Sequence, residues 1–330
     1  MSVIYGNPIT LGGGGLELVA NVADGATVTA TLGSKTVTGV SVGGQARLKI
    51  PQEGKWTVSA ESGAMVSAPY EVSVPATVDI ALLKHELNDN SWAAIKQASY
   101  ANMGANFWSV GDCKEVTMNG NVSDGLTLSN YSAWVFIIGF NHNAEREGNG
   151  IAFQGFKATK NGTPVCLVDS DYNRNKTSGT WFNMNNTNTS SGGWKESMMR
   201  KNVMPLIKSS LPAALQAVIK TSTIYTAAGN GNIACTASDD DVFLLGEYEV
   251  FGTRYNGTSQ EANYLKQYAY YSAGNSKVKY MHNSTASSAM WWLRSPTSGG
   301  SNFFVIVVDN GSANYSYAHT SLGVSPCFKV

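Results

Sequence analysis

Apolar and polar residues alternate along the first quarter of the chain. ATVTATLG (26–33), KTVTGVSVGG (35–44), QARLKIPQEG (45–54), KWTVSAESG (55–63) and PYEVSVPATVDI (69–80) each repeat with period two, and Gly or Pro interrupts them every eight to twelve residues. That rhythm predicts short antiparallel strands closing a small sandwich, with Trp56, Val58, Val72 and Val74 facing its core. The texture changes past Pro75, and LLKHELNDNS (82–91) reads as the connection into a second domain, giving units 1–82 and 83–330.

The second unit mixes periods. Ser91 is placed to cap a helix carrying Trp92, Ile95 and Met103 on one side. LPAALQAVIK predicts another helix, with Leu211, Leu215, Val218 and Ile219 on one stripe and Ser210 at the cap. A third is expected from Ser259 through EANYLKQYAYY. AWVFIIGF (133–140) is a continuous apolar run suited to a strand buried on both faces. Asn, Gly, Thr and Ser dominate 141–191, and 229–241 is again loop-like; connections of that length pack on themselves or carry function. The expectation is an α+β fold with long structured loops.

Composition narrows the function classes. Charged residues are only 14% of the 330, with 23 basic against 23 acidic side chains, which argues against a phosphate-tracking surface and so against nucleic acid. A 43% hydrophobic content supports a core and excludes a disordered chain. No stretch approaches 18 consecutive apolar residues, so no membrane insertion is expected. MSVIYGNPITLGGGG lacks the basic and apolar regions of a cleavable signal. Asn-x-Ser/Thr triplets at Asn121, Asn130, Asn161, Asn283 and Asn314 read as polar loops of an Asn-rich chain. The four cysteines, Cys113, Cys166, Cys235 and Cys327, are too widely spaced for a local metal or redox motif.

GGWKESMMR (192–200), LPAALQAVIK, DDVFLLGEYEVFG (240–252), AMWWLRSP (289–296) and GVSPCFKV (323–330), preceded by FWSVGDCKEV (107–116) and FIIGFNHN (136–143), carry a resemblance over roughly residues 90–330. This part resembles a bacterial and phage domain family of unknown function marked by a WWLRSP signature. That family is similar to the C-type-lectin-like fold shared by formylglycine-generating enzymes and the variable proteins of diversity-generating retroelements. Residues 1–82 resemble small immunoglobulin-like or fibronectin-like modules by pattern. In physical terms Trp291, Trp292 and Arg294 read as a structural anchor, two large apolar rings and a cation able to bond loop carbonyls; stacking of a sugar there is the alternative.

Residues 295–328 contain no Lys, Glu, Gln, Trp or Met. Those five types supply 54 of the 330 residues, so their absence by chance is expected in about two of a thousand windows of this length. They are also the types that asparagine codons ending in a pyrimidine do not reach when adenines are randomised, which is how the resembling retroelement proteins vary. An ordinary Gly/Ser/Asn-rich hairpin is the bland alternative. Within the window a strand is expected from Phe303 to Asp309, turning at Asn310 and Gly311, after which Tyr315, Tyr317 and His319 lie on one side. Apolar residues on both strand faces imply an exposed patch or a buried partner. Tyr with Ser, Gly and Asn is the composition of antibody binding loops. The candidate ligand-binding residues are Asn302, Phe304, Ile306, Val308, Tyr315, Tyr317, His319 and Leu322.

No catalytic constellation is visible. His85, His142, His282 and His319 stand apart, GNGIAFQG and GGGG lack the strand-to-helix context of a phosphate loop, and Asp239, Asp240 and Asp241 read as a solvated loop or helix cap more than as a calcium site. Formylglycine-type oxidation needs two nearby reactive cysteines, and only Cys327 lies near the C-terminus. The expectation is a binding protein, not an enzyme, with no metal or cofactor. The resemblance implies a retroelement-diversified adhesin or receptor-binding protein on a virion or bacterial cell surface, taking a protein or carbohydrate ligand. A structural assembly protein is the other class, and whether the chain forms a homo-oligomer stays open.

Overall fold

The structure, a computed structural model, describes residues 15–330; the N-terminal segment read above for a leader, with most of its glycine run, lies outside the described residues. Strands dominate a mixed α+β fold, 44% strand against 17% helix. The chain divides between Lys84 and His85 into two compact units.

In residues 15–84 the alternation is converted directly into burial: Gln45–Ile50 runs exposed, buried, exposed, buried along its six residues. One sheet orders Gln45–Ile50, Leu16–Asn21 and Ala76–Asp79, the last two parallel. The other orders Lys35–Val40, Thr27–Leu32, Gly54–Ser62, Met65–Ser67 and Leu82–Leu83, with Tyr70–Val74 also on Gly54–Ser62. Their inner faces share one core, Leu18, Val28, Leu48, Trp56, Val58 and Val74 among it. Val72 only packs at its margin. Burial of each such side chain stabilises by roughly 1.5–3 kcal/mol.

The second unit is built on a five-stranded sheet ordered Cys113–Ser123, Leu126–Phe140, Ile151–Lys157, Cys327–Lys329 and Val242–Phe243. The apolar run 133–140 lies in its interior, as its composition predicts. Ser91 caps helix Trp92–Tyr100 by accepting the Ala94 amide at 3.1 Å, and Trp92 packs edge-on against Phe153 at 5.5 Å. The helix ends before Met103, because Asn102 turns left-handed at φ 57°.

Three expectations change. LPAALQAVIK (211–220) is helical only over Ala213–Gln216, because Pro212 holds Leu211 extended at ψ 157°, and Ser210 ends the preceding helix, Met204–Ser210, instead of capping this one. The segment after Ser259 is a 3₁₀ turn, Ser259–Asn263, and a later short helix, Ala269–Ser272; extended backbone at Tyr268 separates them, with its amide bonded to the Glu249 carbonyl at 3.0 Å. Residues 232–240 are a strand paired with Ser222–Gly229, not a loop, so Asp239 and Asp240 sit on a ladder. Asp240 accepts from Trp194 Nε1, Arg200 Nε and Ser238 Oγ, and Asp241 from Lys208 and Thr221.

The Asn-rich stretch is ordered by its own side chains. Asp169 accepts the Phe182 amide at 2.9 Å and the Ser321 hydroxyl, Asn183 donates to the Asn185 carbonyl, and Asn185 donates to the Thr189 carbonyl. Short polar side chains here replace the backbone partners a sheet would supply.

Candidate ligand-binding surface

Trp291–Pro296, Phe303–Val307 and Ala313–Tyr317 form a three-stranded antiparallel sheet with Ala313–Tyr317 at its edge. The middle strand stops at Val307, two residues short of the expected end, where Gly311 at φ 86° closes the turn. Phe303 pairs with Tyr317 and Val305 with Tyr315. The exposed aromatic face is therefore the odd-numbered one. Tyr315 and Tyr317 are each 48% exposed. Phe303 lies 5.0 Å from Tyr315 and 4.7 Å from Tyr317 between ring centroids, and His319 stacks on Tyr317 at 5.9 Å.

That register corrects part of the candidate list. Phe304, Ile306 and Leu322 are buried, not displayed. Phe304 meets Trp292 edge-on at 6.5 Å, Ile306 lies opposite Trp292 in the ladder, and the Leu322 amide donates to the Phe182 carbonyl. Val308 and Asn302 are half-buried; Asn302 uses its carbonyl to accept the Ala318 amide. Tyr315, Tyr317 and His319 come together as a surface, and Phe303 joins them. Period-two counting on both strands contained that signal, but the cross-strand register was needed to join the right halves.

The anchor is fully buried. Trp291 Nε1 donates to the Lys277 carbonyl at 3.0 Å and Trp292 Nε1 to the Phe182 carbonyl at 2.9 Å. Arg294 bonds the Leu244 carbonyl at 2.7 Å and holds Glu249 through its two terminal nitrogens, Nη1 and Nη2, at 2.5 and 2.6 Å. Glu249 was not legible as its partner, although it is the third residue of a helix (Glu247–Phe251) and also accepts the Gly246 amide. Burial pushes the Glu249 carboxyl up, but the Arg294 charge and hydrogen bonds outweigh it and hold the group ionised.

Around this pair lies a buried polar core. Glu147 bonds Lys329 at 2.6 Å and Asn143 at 2.9 Å. Glu261 accepts the Ala227 amide and the Ser295 hydroxyl, and burial pushes its carboxyl up to about 7. His142 stacks on Tyr268 at 3.5 Å; burial lowers it to about 4, leaving it neutral, and its Nε2 has no partner among the described residues. His142, Glu147 and Glu249 bring potential metal-ligating atoms within 4.8 Å of one another. Lys329 and Arg294 already neutralise the two carboxylates, so a divalent cation there would add two uncompensated buried charges. The cluster fits an internal ionic network better than a metal centre.

Cys327 is buried in the central sheet opposite Gln154 and Phe243, and burial raises its thiol well above the ordinary range. A reactive thiolate needs the opposite environment. All four cysteines are free.

A β-rich α+β unit with an ion-paired interior and an aromatic sheet edge is the class of protein these features define. Residues 165–330 match DUF6273, a domain of unknown function, and the chain belongs to that family. No curated protein and no solved structure matches the chain. No helix among the described residues is long and apolar enough to cross a membrane.

Proposed function

We propose that the chain is a ligand-binding protein whose recognition surface is the aromatic edge Phe303, Tyr315, Tyr317 and His319. Residues 85–330 serve as a C-type-lectin-like scaffold and residues 15–84 as an immunoglobulin-like module, displayed on a virion or bacterial cell surface toward a protein or carbohydrate. It acts by binding, without catalysis or a resident cofactor. The observation that supports this most is the coincidence of two independent features in one hairpin: large rings left in water, and a window free of Lys, Glu, Gln, Trp and Met. Tyr rings give binding area at low entropy cost, and neighbouring Ser and Asn supply adaptable hydrogen bonds.

Diversification by a retroelement accounts for the window in this reading, which assigns it to exposed positions. Asn302, Asn314, Tyr315 and Tyr317 reach the surface, whereas residues 320–328 are all buried and have to remain fixed. Sequencing the locus in related isolates tests this. The expected result is a reverse-transcriptase gene and an adenine-differing copy of the segment nearby, with substitutions at those four positions and none at Phe304 or Leu322. An invariant hairpin with no such copy overturns diversification and leaves an assembly module as the reading.

A further inference from the structure

Beside the aromatic edge lies a cleft of about 320 Å³ lined by Tyr255, Asn256, Thr297–Gly300, Phe303 and Tyr315. Its size is at the lower end of the ~300–1,000 Å³ typical of small-ligand sites. No lining side chain among the described residues is charged, which disfavours a phosphate or carboxylate ligand. The walls are of two kinds. Phe303, Tyr315 and the 62% exposed Tyr255 offer ring surfaces, and Asn256, Thr297 and Ser298 offer amide and hydroxyl groups. The Thr297 hydroxyl is buried in the wall with no hydrogen-bond partner among the described residues, an uncompensated cost that a ligand hydroxyl, after a small shift of the loop, would remove.

The cleft is also held in shape. The Ser298 amide donates to the Asn256 carbonyl at 3.0 Å, tying the two walls together, and the Asn256 and Gly257 amides are fixed at 2.8 Å by the buried Glu247 carboxylate. A Cβ on Gly300 would stand 2.6 Å from the Phe303 ring, so only glycine lets this loop close against the aromatic wall. Preorganisation lowers the entropy cost of binding.

Resting on the recognition-surface reading above, we propose that this cleft is a metal-independent subsite for one neutral pyranose ring of a larger glycan. A pyranose has apolar C–H faces that pack on aromatic rings and a rim of hydroxyls that act as both donors and acceptors. The cleft presents those two chemistries together and no charge. Tyr255 and Asn256, outside the 295–328 window, supply constant contacts, while Tyr315 extends the site toward the hairpin.

The test is a glycan array of neutral gluco-, galacto-, manno- and N-acetylhexosamine oligosaccharides probed with the full chain, followed by calorimetric titration of the strongest binder. Binding is expected to persist in EDTA and to fall at least tenfold in Gly299→Leu and in Tyr255→Ala. Gly299 has open space at its Cβ position and lies outside the left-handed region, so leucine there obstructs the cleft without breaking the fold, and Tyr255 is exposed. Array binding that needs calcium, or that both variants retain, overturns the proposal. Attachment to bacteria that is lost in Tyr317→Ala, with no array signal for any neutral glycan, overturns the sugar subsite and leaves the recognition surface standing. An array signal abolished by Gly299→Leu, with attachment indifferent to Tyr317→Ala, supports the subsite and removes the hairpin from the recognition role.

Discussion

In residues 15–84 charged side chains stay in water: Arg47 pairs with Glu17 and Lys55 with Glu71 on the exposed face, and the core is apolar. In residues 85–330 several go inside. Glu147, Glu249, Arg294 and Lys329 are buried as matched pairs, with Glu247 and Glu261 held by backbone amides and a serine hydroxyl. The first unit is specified by area removed from water, which period two encodes locally. The second adds to its apolar core polar partners far apart in sequence, so that irregular loops are fixed by a few directional bonds.

The comparison predicts unequal responses to losing one charge. Arg294→Ala leaves Glu249 buried and unpaired, and a destabilisation of about 3–5 kcal/mol of the second unit is expected in urea unfolding. Unfolding unchanged within experimental error would show that the pair does not organise this core.

Acid titration sharpens the same contrast. Glu261, raised to about 7, binds its proton more tightly folded than unfolded, so its contribution falls as pH rises from about 4.5 to 7. His142, lowered to about 4, is neutral in the fold but protonated in the unfolded chain between pH 4 and 6.5, so its contribution rises over that span. The two partly cancel. Relative to the parent, His142→Gln is expected to lose stability as pH is raised from 4 to 6.5, and Glu261→Gln to gain it from 4.5 to 7, both followed by thermal unfolding. Identical pH profiles in all three proteins would contradict these assignments. The smallest effect is expected at the exposed pair: Arg47→Ala should change stability by less than about 1 kcal/mol, measured by the same urea unfolding.

These differences also explain what could be read from the chain. Gln45–Ile50, the Ser91 cap and the 133–140 strand follow from local pattern, and each forms where the pattern places it. Asn232–Asp240 buries the polar Ser238 and Asp240 and exposes Ile233 and Ala237, so its apolar pattern does not mark a core-facing strand, which is held by pairing with Ser222–Gly229 and by side-chain bonds such as Thr223 to Asp239. Pro212 cuts Leu211 off from a stripe that hydrophobic spacing alone would begin there. Glu249 and Arg294 lie 45 residues apart, and no local signal distinguishes a buried ion pair from two solvated charges. At the hairpin, the aromatic composition pointed to a segment in which Tyr315 and Tyr317 are exposed. Combining Phe304 and Ile306 with Tyr315 and Tyr317 joined opposite faces of the sheet, because face identity depends on which residues oppose one another across the turn.

The central claim is that the exposed rings of this hairpin, and not the buried half, make the binding surface. The direct measurement is attachment of the labelled full chain to a panel of bacterial strains by flow cytometry, comparing the parent with the Tyr315→Ala, Tyr317→Ala double variant. The account predicts at least a tenfold loss of attachment with an unfolding midpoint close to that of the parent, since both rings are half exposed. Attachment equal to that of the parent, in a folded double variant, would contradict it.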